Sequence, residues 1–171
     1  GADLFVTTTE HGNRQLTVIE TNTCPSGQKS MPRSDNELHD GYGYRKIMRS
    51  TFKPMLNRVS PQLFDACLAV MYDKNEMEAS GYAHAMAAEF GEDVYLVKYF
   101  NDDPNPPVKF DKEGIMSIRN EKGEWIKIRA AFRYVTQNPW DRIPINTKTL
   151  ILNPIIACIS GGRNKNLAAK A

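Results

Sequence analysis

Glu20 and Asn22 stand two residues apart at the end of the apolar alternation Leu16-Thr-Val-Ile-Glu-Thr-Asn-Thr23. Strand side chains repeat every two residues, so a carboxylate and a carboxamide oxygen at this spacing converge on one side of a sheet. Such hard oxygen donors could form half of a magnesium site, because Mg²⁺ takes one or two protein ligands and fills its other positions with water and substrate phosphates. A strand end closed by an Asx-turn before Pro25 accounts for the same residues without a metal. Farther along, Ser160-Gly161-Gly162-Arg163-Asn164-Lys165 follows an apolar segment and opens onto a helix start. Freed backbone N–H groups, a helix N-terminus and two cations together make a phosphate cradle; a Gly-Gly turn with solvated cations is the plainer alternative. Neither this run nor Ser26-Gly27-Gln28-Lys29-Ser30 has the spacing of a nucleotide phosphate loop.

Arg133 ends the apolar and aromatic run Ile128 to Phe132. If buried, it must find an anion, and its planar fork could hold a substrate carboxylate through two parallel hydrogen bonds. If it faces outward, only its stem packs on the sheet. His11, His39 and His84 have no metal-ligand spacing, and His84 reads as a surface or internally satisfied residue. Cys24 is a conceivable thiol nucleophile, but no histidine lies near it in sequence. The aromatic residues read as core or loop anchors, because no concentrated basic face accompanies them.

The elements that must carry these residues follow from pattern. Leu4 to Thr8 and Gln15 to Thr21 form a hairpin around His11-Gly12-Asn13. Cys24 to Tyr44 is rich in Pro, Ser, Gly, Asp and Asn and reads as a long loop. Helical periodicity runs from Tyr44 to Leu56 with Pro54 near its end. Strand-like Ala66 to Tyr72, helix-like Glu76 to Phe90 and strand-like Val94 to Phe100 form a β-α-β unit, which implies a parallel sheet. Ligands bind beyond the carboxyl ends of such strands, and Asp73 and Asn75 occupy that position. Asp102 to Pro107 is a turn, Ile115 to Ile118 and Trp125 to Phe132 make a second hairpin, and Thr149 to Ile159 is apolar but interrupted by Pro154. There is no internal repeat.

With 171 residues, a net charge of +2 and 25% charged residues, the chain has the size and composition of an ordinary globular α/β domain, not of a nucleic-acid binder. Three widely spaced cysteines give neither a disulfide framework nor a zinc motif, which points to a reducing, cytoplasmic setting. No apolar run has membrane-spanning length, so no membrane partner is expected. The opening Gly1-Ala2 and the uncapped helix start at 166–171 lead to the expectation of a piece of a longer polypeptide.

In order, these stations resemble the eukaryotic-type glutathione synthetases, a circularly permuted branch of the ATP-grasp carboxylate–amine ligases. The resemblance rests on Glu20-Thr-Asn22-Thr, Pro25-Ser26-Gly27, Asp73-x-Asn75, Phe132-Arg133-Tyr134, and Asn153-Pro154 leading to Ser160 to Lys165. Ala79 stands where the family has a glutamine, so the acid and amine that are joined stay open. The resemblance implies a Rossmann-like sheet of the pre-ATP-grasp type with flanking helices. It adds a β-hairpin edge from the ATP-grasp part, with 1–60 bordering the ATP site and 61–171 forming the substrate-binding domain. It further implies Mg²⁺ held by Glu20 and Asn22, and ATP approached by Arg163 or Lys165. Substrate would meet Ser26, Gly27, Asp73, Asn75, Arg133 and Tyr134, with Arg133 also acting in catalysis. The partners implied are a small carboxylate and an amine, with a homodimer compatible. A non-catalytic α/β domain binding a small anionic ligand fits the same residues.

Overall fold

A computed structural model describes residues 2–22, 42–100, 102–135 and 143–156. Two strands, β1 (Ala2–Thr8) and β2 (Arg14–Thr21), pair antiparallel as a separate two-stranded sheet. Gly12 at φ 77° lets the chain reverse, and the turn is closed by Thr9 N–H to the Asn13 carbonyl at 2.9 Å. The hairpin expected from the sequence is therefore present, one or two residues longer in each arm.

The helical run begins with α1 (Tyr42–Ile47), widens into a π-helical segment (Met48–Phe52), and continues as α2 (Lys53–Met55) before a 3₁₀ turn (Leu56–Arg58). Pro54 explains the widening. In an α-helix its ring would press on the carbonyl four residues back, and the π segment relaxes that contact by shifting the bonding to i−5, as in Lys53 N–H to the Met48 carbonyl. An apolar stripe runs along these turns, in which Tyr44, Met48 and Phe52 are all buried.

The remainder is mixed α/β, built on a curled, open six-stranded sheet. Strand β3 (Cys67–Tyr72) leads through α3 (Glu76–Phe90) to β4 (Val94–Lys98), parallel to β3 as the β-α-β pattern requires. Helix α3 ends at Gly91, whose φ of 71° allows its N–H to cap the Ala87 carbonyl at 2.8 Å. Then β5 (Val108–Phe110), β6 (Met116–Arg119) and the long β7 (Trp125–Tyr134) form an antiparallel meander, of which the sequence pattern had not marked β5. Past its midpoint β7 also runs parallel to β3 on one side and to β8 (Leu150–Leu152) on the other. Four parallel strands thus lie in the order β4, β3, β7, β8.

A bulge in β7 decides which side chains meet the core. Cys67 pairs with Ile128 but Leu68 pairs with Ala130, leaving Arg129 as the extra residue. Before the bulge the even residue Ile128 faces the second apolar cluster; after it, Ala130, Phe132 and Tyr134 face the helices and Ala131 faces the second cluster. One sheet face therefore packs on α3 and the Tyr42–Arg58 helical run, and the other folds onto itself and residues 143–155. Where β7 changes partner from β6 to β8, the buried Thr149 hydroxyl fills the gap. It donates to the Ile128 carbonyl at 2.7 Å and accepts from Met116 N–H at 2.8 Å.

Candidate functional site at the carboxyl edge of the parallel strands

The carboxyl ends of β3, β7 and β8 bring together residues from distant parts of the chain. After β3 come Asp73, 3% exposed, and Asn75; at the end of β7 stand Arg133 and Tyr134; directly after β8 comes Asn153. Asn75 and Asn153 have φ of 61° and 60°, the two non-glycine residues with positive φ among the described residues, and both sit on this one edge. Asparagine tolerates the left-handed region better than most residues, yet the conformation still costs about 1 kcal/mol or more, and such strain gathers at functional sites.

Arg133 is 0% exposed. The outward-facing alternative is thereby excluded: the bulge at Arg129 shifts the alternation and moves Arg133 from the helix-covered face to the face of the second cluster, shared with Ala131 and Val135. Its Nε donates to the Asn153 carbonyl at 2.7 Å and its Nη1 to the Val135 carbonyl at 2.7 Å, while Asn153 Nδ2 donates back to the Arg133 carbonyl at 3.0 Å. This reciprocal clamp joins the ends of β7 and β8 and fixes the plane of the guanidinium. Asp73 turns Oδ1 onto the Lys74 N–H at 2.8 Å, and Tyr99 N–H reaches the Tyr72 carbonyl at 2.7 Å, so the ends of β3 and β4 are tied as well.

Behind this edge lies an aromatic cluster, of which the sequence reading has Tyr44 and Phe132 as core or loop anchors and Tyr134 also as substrate-binding. Tyr82 stacks edge-on against Tyr44 at 4.7 Å and against Phe132 at 4.6 Å, with Tyr134 5.5 Å away. Tyr44 lies on Gly81, where a Cβ would come within 2.9 Å of the ring. Among the described residues the buried Tyr44 hydroxyl makes no well-formed hydrogen bond; burial first, then the hydrogen-bonding pull and charge of the neighbouring Glu78 carboxyl, hold its phenol far above the usual 10. Glu78, itself 9% exposed, was not singled out from the sequence; its place one turn after Asn75 was the available signal. A cavity of about 300 Å³ lies next along the chain from Asn153, lined by Ile143, Thr149, Ile151, Pro154 and Ile155. Arg133 does not line it.

The hairpin carries the other candidate residues. The ladder places Asp3 opposite Glu20, and Asn22, half-buried, donates Nδ2 to Asp3 Oδ2 at 3.4 Å. Asp3, which the sequence did not single out, thus adds a third oxygen-bearing residue to Glu20 and Asn22. Oxygen donors such as those of Asp3 and Asn22 suit Mg²⁺, which needs few protein ligands; the Glu20 side chain lies outside the described residues. Among the described residues no three His, Cys, Asp or Glu side chains gather as a metal site. Ser26, Gly27, Arg163 and Lys165 lie outside the described residues, as do Cys24 and His39. His84 is exposed, as expected. Among the described residues no helix is long and apolar enough to cross a membrane.

Comparison of the chain with models of protein families, with curated proteins and with solved structures gave no match.

Proposed function

We propose that this chain is the substrate-binding part of an ATP-dependent carboxylate–amine ligase of the glutathione synthetase-like, circularly permuted ATP-grasp type. The observation that carries the reading is Arg133, fully buried and held flat by Asn153 at the carboxyl edge of parallel strands, beside Asp73 and Asn75. A rigid cation at that edge suits a small carboxylate, and open parallel sheets take ligands there. On this reading the strands β4, β3, β7 and β8 are the core of a Rossmann-like, pre-ATP-grasp unit, and the hairpin belongs to the nucleotide-binding part.

Each residue then has a task. Glu20 and Asn22, joined by Asp3, would hold Mg²⁺; Arg163 or Lys165 would meet the phosphates of ATP; and Ser26, Gly27, Asp73, Asn75 and Tyr134 would surround the acid and the amine. Mg-ATP supplies the phosphoryl group that makes the carboxylate reactive toward an amine. Arg133 would orient the carboxylate and meet the charge that develops on it. The second reading is a domain that binds a small anion without chemistry. The guanidinium's two bonds to backbone carbonyls favour it, because they already give Arg133 a structural role.

Calorimetric titration with Mg-ATP separates the two. The ligase reading expects binding that requires Mg²⁺ and weakens about tenfold or more in Glu20→Ala and Asn22→Ala, a change of about 1.4 kcal/mol. Binding of nucleotide that is indifferent to Mg²⁺ and to both substitutions, or no binding at all, would sink it.

A further inference from the structure

The sheet face that α3 and the helical run cover over the parallel strands continues across the antiparallel meander, where no described residue covers it. Before the bulge at Arg129 the outward positions are Trp125 and Lys127 on β7, Ser117 and Arg119 on β6, and Lys109 on β5. Trp125 is 41% exposed. Lys109 Nζ sits 3.9 Å from the centre of the indole and the Arg119 guanidinium 5.8 Å from it. The bulge residue Arg129 adds a further cation, paired with Glu92. At the hairpin tip the Glu124 carboxylate accepts from Asn120 Nδ2 at 2.9 Å. The alternation of each strand gathers cations from three strands on one face, although the whole chain carries only +2.

We infer that this face is a docking surface for an acidic polypeptide segment of a partner protein. Charge complementarity names the sign of the partner. The form of the surface names its class. Arg119 is fixed by Asn105, donating to its Oδ1 at 3.0 Å and its carbonyl at 3.1 Å, which leaves a pre-ordered platform. The indole already has Lys109 on its face, so it is poorly placed to stack a nucleic-acid base, whereas Trp and Arg together form the usual anchor of a protein interface.

The test uses the whole chain and a fluorescein-labelled peptide of alternating Glu and Asp, with a single-stranded oligothymidylate of equal length as comparator. Anisotropy at low salt should show the peptide bound, with affinity falling as salt rises. The double variant Lys109→Glu/Lys127→Glu should lose about tenfold or more, and Trp125→Ala a comparable amount, while Arg14→Glu on the hairpin should leave binding within about twofold. Three results overturn the inference: no peptide binding at low salt, equal loss in Arg14→Glu, or oligothymidylate bound as tightly as the peptide. All four positions are surface residues, and a circular dichroism spectrum checks that each variant is folded.

Discussion

At the scale of single residues, the register of a strand decides where a charged group is aimed. Arg133 is the clearest case. A strict two-residue alternation through Trp125, Lys127 and Arg129 puts it on the face that the helices cover, and only the extra residue at Arg129, visible in the pairing with β3, moves it to the face of the second cluster. Asn153 carries no site role in the sequence pattern, because its left-handed backbone and its bond to Arg133 join positions 20 residues apart. Tyr44 gives a test at this scale. Among the described residues its buried hydroxyl has no well-formed hydrogen bond, only a poorly aligned approach to the Glu78 carboxyl, so the ring supplies packing while the oxygen is a net cost. Tyr44→Phe keeps the ring on Gly81 and should stabilise the fold by about 1 kcal/mol in urea titration at pH 7. Since burial raises the phenol's pKa above 10, the unfolded state ionises first, and stability falls as pH climbs past that value. The variant should show a shallower alkaline decline. A loss of stability at neutral pH would mean that the hydroxyl has a role the packing does not reveal.

At the scale of elements, legibility followed locality. The hairpin and the β-α-β unit depend on turn residues and periods within about 30 residues, and both were readable. The π segment was hidden because Pro54 signals a break without saying how the chain absorbs it. Strand β5 was missed for its length of three residues, and the partner change along β7 because pairing between distant strands leaves no local pattern. Thr149 serves that change of partner. Its hydroxyl satisfies Met116 N–H and the Ile128 carbonyl at a point where neither β6 nor β8 can. Thr149→Val preserves shape and removes both bonds, leaving two backbone groups unpaired inside the core. A loss of about 2–3 kcal/mol is expected by chemical denaturation, far above the cost of an exposed Thr→Val change. A change within about 0.5 kcal/mol would show that the sheet closes on itself without the hydroxyl.

At the scale of the whole molecule, two apolar clusters on opposite faces of one sheet hold the body together, and the hairpin's Phe5, Val6 and Leu16 stay more than 60% exposed. The Tyr42–Arg58 helical run is joined to α3 by a charge cluster as well as by its apolar stripe. Glu89, in the last turn of α3, receives Arg49 through Nε at 2.9 Å and Nη2 at 3.1 Å, with Lys53 at 3.7 Å and Arg45 at 3.9 Å. The Arg49 hydrogen bond leads in lowering the Glu89 pKa below the ordinary 4.5, the three cations add to it, and partial burial opposes them. A depressed folded-state value means that the unfolded chain takes the proton first, so this contribution is present above pH 4.5 and fades as pH drops through the folded value. Glu89→Gln should therefore be less stable than the parent at pH 7, and the gap between their urea midpoints should close as pH falls toward about 3. Because Arg49 and Lys53 are more than half exposed, the gap at pH 7 should also narrow in about 1 M salt. A gap that keeps its size at every pH would assign the role of Glu89 to packing and leave the apolar stripe as the bond between the two helical elements.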